Sequence, residues 1–189
     1  VESVWWSLKQ IFDQGLLVQD HRVSPYCPRC GTGLSDHELA QGYETVVDPS
    51  VYVRFPVTGG ALVERHPGLA LLIWTTTPWT LVSNTAAAVN PDVSYVVART
   101  GSGELLLVAE ALREAVLGED SVVLETLPGS EVVGTPYARP FTGVEFPETD
   151  GPLHTVLAAD LVTTEDGSGV VHEAPAFGPE DLALCRSYG

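Results

Sequence analysis

The chain lacks several features that would place it in a specialised class of protein. It contains no methionine, three cysteines, and only nine lysine or arginine residues against 25 aspartate or glutamate residues. Three cysteines are too few for a disulfide scaffold and fit a reducing compartment such as the cytoplasm. No apolar run approaches the roughly 18 residues that a membrane-spanning helix needs, and no signal peptide is visible. We therefore predict a globular, soluble chain with no membrane partner.

The scarcity of basic residues also limits the possible partners. The formal net charge of −16 argues against strong binding of nucleic acid, because phosphate contacts supply much of such affinity. The charge is unevenly distributed: five of the nine basic residues lie in the first 65 positions, whereas residues 92–181 hold 17 of the 25 acids. We expect the isolated chain to bind free nucleic acid weakly.

The length and the apolar content indicate one domain, or one domain with a fragment of another. A chain of 189 residues with 44% apolar content can bury a substantial core. It begins with Val1 and stops at Gly189, just after what resembles the first turns of a helix. From these ends and the absence of methionine, we predict that the chain is a piece of a longer protein.

A helix and a CxxC motif precede the rest of the chain. Apolar residues recur at helical spacing within residues 3–18, where Ser3 provides a cap and Gly15 an end. Cys27 and Cys30 form a CxxC motif in a tight turn, as a zinc site requires. Only His37 is a nearby candidate for a third ligand, so a bare half-site is the alternative to bound zinc. A thioredoxin-like redox role is weaker, because no βαβ pattern surrounds the motif.

From residue 45 onwards the sequence is typical of β structure. Short, valine-rich segments are bounded by glycine, proline, asparagine or aspartate. The predicted strands are residues 51–57, 68–74, 94–99, 104–108, 121–127, 154–158 and 169–171. Helices are predicted at residues 109–117 and after Pro179. Many short strands with few crossover helices predict a mainly β fold with peripheral helices, an α+β chain built on a closed or nearly closed β-barrel.

A row of hydroxyl groups follows the most apolar strand. The run LLIWTTTPWT over residues 71–80 breaks from a buried strand into three threonines and a proline. Because Pro78 favours an extended Thr77, some of these hydroxyls must face one cavity, where they could hold water or a small polar ligand. Threonines are also ordinary residues at strand ends, and this segment does not distinguish the two interpretations.

A second motif, DGSGVVHEAPAFGPED over residues 166–181, combines a glycine turn, a short strand and the start of a helix. From composition alone, His172 reads as a core histidine and Asp181 as an acid that favours a helix N-terminus. Together, the two motifs resemble the editing domain of isoleucyl-tRNA synthetase, a class I aminoacyl-tRNA synthetase. The resemblance extends from about Arg54 to the C-terminus. Valyl and leucyl relatives have arginine in place of Thr77 and lack a histidine at the position of His172.

The resemblance implies a set of functional residues. The implied catalytic residues are Thr75, Thr76, Thr77 and Asp181, and the implied substrate-binding residues are Trp74, Asn84, His172 and Asp181. His172 would limit the size of the substrate side chain, and Asp181 would hold the substrate's α-ammonium group. Asn84 reads equally well as a turn residue. Residues 1–44 would belong to the body of the synthetase or to a linker, and residues 45–189 would form the editing domain. The remaining zinc ligands would lie downstream of this chain.

The resemblance also implies a function. The chain would hydrolyse valine wrongly attached to isoleucine tRNA, and valyl-adenylate, within an ATP-dependent isoleucine–tRNA ligase. Its partners would be the tRNA 3′ end carrying valine and the rest of the synthetase, and editing itself would need no cofactor. Two alternatives remain open: an editing domain of valyl or leucyl type, and a non-catalytic β-module that docks tRNA or another protein.

The residues themselves offer no other hydrolytic mechanism. There is no GxSxG motif, and the pair His172–Glu173 lacks the second histidine of an HExxH zinc site. Cys185 lies in an apolar helical pattern, where a thiol is buried and inert. A positioned water molecule, oriented by hydroxyl groups of the chain and by the substrate's own terminal ribose, remains as the nucleophile.

Overall fold

The computed structural model describes residues 1–189. The six α-helices are α1 (Glu2–Asp13), α2 (Asp36–Ala40), α3 (Ala61–Arg65), α4 (Arg113–Leu117), α5 (Gly129–Val132) and α6 (Pro179–Ser187). The ten strands are β1 (Tyr26–Cys27), β2 (Thr32–Gly33), β3 (Val51–Pro56), β4 (Ala70–Thr75), β5 (Ala86–Val89), β6 (Ser94–Arg99), β7 (Leu105–Ala109), β8 (Val122–Pro128), β9 (Val156–Ala158) and β10 (Val171–Glu173). Two 3₁₀ helices cover Pro78–Ser83 and Glu110–Leu112.

The largest sheet has five strands in the order β3-β4-β7-β6-β8. All its neighbouring pairs are antiparallel except β4 and β7, which run parallel. Strand β4 is buried almost throughout, because its apolar side chains pack on both faces of this sheet. This burial explains why β4 reads as a continuous apolar run rather than an alternating one.

A second sheet has three strands in the order β10-β5-β9. Its central strand β5 is entirely buried and consists of three alanines and Val89. Strand β5 is absent from the sequence-based prediction, because alanine is depleted in strands and short alanine runs carry no strand pattern. Strand β10 packs close to β4, which brings the ends of the two sheets together.

The predicted closed barrel is wrong. The chain is a mixed α+β fold with three open sheets of five, three and two strands. In the largest sheet, β3 and β8 are edge strands that do not pair with each other. Strand composition indicates β structure, but closure depends on whether the first and last strands meet, and that pairing is not encoded locally.

The main core lies between the five-stranded sheet and the three-stranded sheet. It includes fully buried large side chains from both, among them Phe55, Ile73, Tyr95, Leu107 and Val89. The hydroxyl of Tyr95 donates to the carbonyl of Gly169 at 2.7 Å, which ties the glycine turn before β10 to the core. The core therefore fixes the position of β10 relative to β4.

The N-terminal segment is loosely attached. Helix α1 buries no residue, and its apolar side chains are exposed. It starts after Val1 rather than at the predicted Ser3 cap. The clearest link from this part of the chain to α6 is Arg186. Its Nη2 donates to Oδ1 of Asp20 at 2.7 Å and to the carbonyl oxygen of His21 at 2.9 Å. The division after residue 44 stays a prediction.

No helix has both the length and the apolar character needed to cross a membrane.

Candidate active site

One cavity of about 240 Å³ lies where the end of β4 meets β10 and the start of α6. It brings the threonine motif and the histidine motif together, although about 95 residues separate them in sequence. The lining residues are Trp74, Thr75, Thr77, Thr80, Val171, His172, Ala174, Phe177, Gly178 and Asp181. The cavity is smaller than the pockets of drug-sized ligands.

Two of the three consecutive threonines line this cavity. Thr75 is the buried last residue of β4, and its Oγ1 accepts a hydrogen bond from the backbone N–H of Thr77 at 3.0 Å. The hydroxyls of Thr75 and Thr77 lie 3.3 Å apart. Thr76 is exposed and is not among the lining residues. Successive residues of an extended chain point in opposite directions, which puts Thr75 and Thr77 on one side and Thr76 on the other.

Trp74 also lines the cavity and is half-buried. Its ring packs against the glycine turn before β10, where a Cβ on Gly167 would lie 2.9 Å from Cε3 of Trp74. Gly167 has a φ of +78°, in the left-handed region that glycine tolerates best. Glycine therefore serves both the turn and the close approach of the indole.

His172 is the buried centre of β10. Its Nε2 lies 3.0 Å from the hydroxyl of Thr80, while its Nδ1 is buried with no hydrogen-bond partner in the chain. Burial lowers the pKa of His172, and the nearby Asp181 carboxylate opposes this shift only in part. The imidazole is therefore neutral at pH 7.

Asp181 lies in the first turn of α6, which Pro179 opens. Its Oδ2 accepts a hydrogen bond from the backbone N–H of Ala174 at 2.8 Å. Its Oδ1 lies over Gly178, where an added Cβ would come within 2.5 Å. One carboxylate oxygen is thus held by the backbone, and the other accepts no hydrogen bond within the chain.

The chain aligns over its whole length with isoleucine–tRNA ligases. It is 64% identical over 190 residues to that of Streptomyces coelicolor, of which it covers 18%. It is 51% identical over 189 residues to that of Thermus thermophilus, of which it covers 17%. The chain is therefore similar along its whole length to one segment of isoleucine–tRNA ligases. It spans less than a fifth of the length of these relatives. No protein-family model matches the chain.

Solved structures show which known domains share the fold of this chain. The crystal structure of GlLeuRS-CP1 superposes with a TM-score of 0.56 at 20% identity, over 75% of this chain and 65% of that one. The P. knowlesi cytosolic leucyl-tRNA synthetase editing domain gives 0.56 at 14% identity, over 73% and 60% of the two chains. The fold is therefore that of synthetase editing domains.

Asn84, a predicted substrate-binding residue, lies outside the cavity. It is fully buried, donates from Nδ2 to the carbonyl of Ala86 at 2.7 Å, and accepts from the hydroxyl of Tyr137 at 2.7 Å. Both ends of the amide are thus engaged within the chain. The structure places Asn84 as a link between β5 and Tyr137, and its role in substrate binding stays a prediction.

Thr80 is the polar lining residue that the sequence analysis missed. Pro78 opens a 3₁₀ helix, in which residues three apart lie above one another, so Thr80 is placed over Thr77. Its hydroxyl donates to the carbonyl of Thr77 at 2.8 Å. The spacing of Thr77, Pro78 and Thr80 is the signal that could have identified it.

Glu173 is an unusual carboxyl group next to the site. It is only 1% exposed, its Oε1 has no hydrogen-bond partner, and it does not line the cavity. Burial, with a further contribution from the Asp181 carboxylate, raises the pKa of Glu173 to about 8. The side chain is therefore largely protonated at neutral pH.

The cysteine motif provides two metal ligands at most. The N–H of Cys30 donates to Sγ of Cys27 at 3.4 Å, and this contact lowers the pKa of the Cys27 thiol. No group of three or more histidine, cysteine, aspartate or glutamate side chains could hold a metal ion, so His37 does not complete the set. Four ligands are the rule for structural zinc, and Cys27 and Cys30 fit half of such a site.

Proposed function

We propose that this chain hydrolyses the ester bond between valine and the 3′ end of isoleucine tRNA. The observation that carries the proposal is the single cavity shared by the threonines, His172 and Asp181. It combines hydroxyl groups, a carboxylate and a rigid buried ring in a space the size of one aminoacyl group. The similarity to isoleucine–tRNA ligases supports a tRNA ester as the substrate.

The carboxylate of Asp181 would bind the α-ammonium group of the amino acid. Its Oδ2 is held by the N–H of Ala174 at 2.8 Å, so the group is oriented before a substrate arrives. A hydrogen bond between two charged groups is shorter and stronger than a neutral one. This contact would place the ester carbonyl at a defined distance from the threonine hydroxyls.

The size of the substrate would be limited by His172. Valine and isoleucine differ by one methylene, which gives only about 1–3 kcal/mol of discrimination at a binding site. A second site that excludes the larger side chain adds to that discrimination. A packed wall rejects an added methylene, and the ring of His172 is 7% exposed and fixed on a strand.

Thr75 and Thr77 would orient the attacking water. Their hydroxyls are 3.3 Å apart and face the same cavity. Water would attack the ester carbonyl, the bond to the ribose oxygen would break, and the ribose oxygen would leave with a proton. Free valine and a tRNA with an intact 3′ end would be the products. Hydrolysis of valyl-adenylate in the same cavity is part of this proposal.

Deacylation of three charged tRNAs tests this function. Isoleucine tRNA charged with valine, threonine or isoleucine is mixed with the 189-residue chain, and release of the amino acid is followed. Release of valine should exceed that of isoleucine by at least about tenfold, the lower end of what one methylene provides. Faster release of threonine would instead identify an editing domain of another type. Binding of tRNA without release of any amino acid would indicate a docking module.

We also propose that Cys27 and Cys30 bind zinc and that the protein is cytoplasmic. Zinc at Cys27 and Cys30 would need two further ligands from elsewhere in a longer protein, and it would stabilise the surrounding turn. A cytoplasmic location is supported by the three cysteines, which are all free thiols.

A further inference from the structure

The hydroxyl of Thr80 lies between the threonine loop and the histidine of the cavity. It is 2.8 Å from the carbonyl oxygen of Thr77 and 3.0 Å from Nε2 of His172. Thr80 and His172 are both more than nine-tenths buried, which limits the access of water to these contacts. The arrangement connects the two motifs through a single side chain.

The direction of these hydrogen bonds follows from the count of protons. A carbonyl oxygen only accepts, so the single hydroxyl proton of Thr80 is donated to Thr77. The hydroxyl oxygen must then accept from His172, which requires a proton on Nε2. Because burial keeps the imidazole neutral, Nδ1 carries no proton, and it lies buried without a partner.

We propose that Thr80 is a positioning residue that holds His172 in the Nε2-protonated tautomer and fixes the plane of its ring. The inference rests on the proposed function, because a fixed ring is what lets His172 exclude isoleucine. It adds a residue that acts through its contact with His172. Without the hydroxyl, the ring would lose its only hydrogen bond and could move away from the substrate side chain.

Two substitutions separate this role from simple packing. Thr80→Val keeps the shape of the side chain but removes the hydroxyl, whereas Thr80→Ser keeps the hydroxyl and both hydrogen bonds. Thr155→Val is the matched control, because the hydroxyl of Thr155 is buried, makes no hydrogen bond and lies outside the cavity. Thermal unfolding of each variant establishes that it is folded.

The first measurement is the tautomer of His172, read from ¹⁵N chemical shifts of the imidazole in the 189-residue chain. The parent chain, Thr80→Ser and Thr155→Val should show protonated Nε2 and bare Nδ1. Thr80→Val should show a mixture of tautomers. A proton on Nδ1 in the parent chain, or an unchanged spectrum in Thr80→Val, would overturn the proposal whatever the activity.

The second measurement is the ratio of kcat/KM for valyl and isoleucyl esters of isoleucine tRNA. Thr80→Val should lower this ratio about tenfold, through a gain towards the isoleucyl ester, and Thr80→Ser should restore it. An unchanged ratio in Thr80→Val would overturn the positioning role. If the parent chain hydrolyses neither ester, the proposed function fails, while the ¹⁵N spectra still decide the hydrogen bonding.

Discussion

We propose that His172 acts as a wall rather than as a base. Its ring is buried, its Nε2 is engaged by Thr80, and its pKa is lowered below the usual value by burial. We expect His172→Ala to raise hydrolysis of the isoleucyl ester at least about tenfold while hydrolysis of the valyl ester continues, because the added space admits one methylene. Parallel deacylation assays with both charged tRNAs provide the measurement.

General-base catalysis by His172 gives the opposite result. Activity towards both esters would then collapse in His172→Ala, and the parent chain would follow a titration below pH 6.5, in keeping with the lowered pKa. His37→Ala is the matched control, because His37 is exposed and lies outside the cavity. It should leave both rates unchanged.

We expect Asp181 to contribute to hydrolysis of the valyl ester through its negative charge rather than through its shape. Asp181→Asn keeps an oxygen that accepts from the N–H of Ala174, but it removes the negative charge. We expect hydrolysis of the valyl ester to fall about 10- to 100-fold, since a hydrogen bond to a charged group contributes about 1.5–3 kcal/mol. The unfolding midpoint in urea should change little.

Glu180→Gln controls for the loss of an acid near the start of the same helix. Glu180 is exposed and occupies the first turn of α6 beside Asp181. Normal hydrolysis by Asp181→Asn, or an equal loss in Glu180→Gln, would show that Asp181 only favours the helix N-terminus.

The start of helix α6 sets the position of the carboxylate. Gly178 has a φ of −131°, which any residue adopts. Glycine is therefore needed here because Asp181 lies close to the backbone, and not because of the backbone conformation. A Cβ at this position would lie 2.5 Å from Oδ1 and 2.9 Å from Cγ of Asp181. We expect Gly178→Ala to displace the carboxylate and lower valyl ester hydrolysis about tenfold or more, because misplacement by about 1 Å is costly.

Gly143→Ala is the control for this element. A Cβ on Gly143 would meet no atom within 4 Å, and its φ is not positive. The assay compares kcat and KM of both variants, together with their unfolding midpoints. Full activity in Gly178→Ala would mean that the carboxylate of Asp181 need not occupy the observed position.

Glu173 links the stability of the whole molecule to pH. Its pKa is about 8 in the folded chain, mainly because of burial, against an ordinary value of 4.5. A raised folded pKa means that the folded state holds the proton more tightly. The contribution of Glu173 to the free energy of unfolding is therefore complete below pH 4.5, and it is lost as the pH rises towards about 8. We expect the free energy of unfolding to fall by several kcal/mol across this window.

Glu173→Gln should remove this dependence, because glutamine is neutral at every pH. Urea unfolding at a series of pH values compares the variant with the parent chain and with Glu131→Gln, which changes an exposed glutamate. Tyr137 and Cys185 titrate above the window, because their pKa values are raised from 10 and 9. His172 titrates within the window, because its pKa is lowered from 6.5, but it is present in all three chains, so the comparison isolates the contribution of Glu173. If the free energy of unfolding changes with pH in the same way in Glu173→Gln and in the parent chain, Glu173 is not the source of the pH dependence.

Local sequence was enough to predict many of the elements. Strands β3, β4, β6, β7 and β8 were predicted to within one or two residues, because their apolar runs are bounded by turn residues. Helix α6 begins at Pro179 as predicted, because proline lacks the N–H that the first helical turn leaves unpaired. The two motifs carried the family resemblance, which the full-length alignment with isoleucine–tRNA ligases supports.

The way in which these elements combine depends on contacts between distant parts of the chain. The sheets are open because β3 and β8 do not meet, and the pairing of distant edges is not contained in any single strand. Thr80 enters the cavity and Asn84 stays outside it, because a 3₁₀ helix turns the first towards His172 and the core encloses the second. Residue identity alone establishes which positions carry hydroxyl, imidazole and carboxylate groups. Packing between two sheets determined which of those groups share one cavity, because such contacts join residues far apart along the chain.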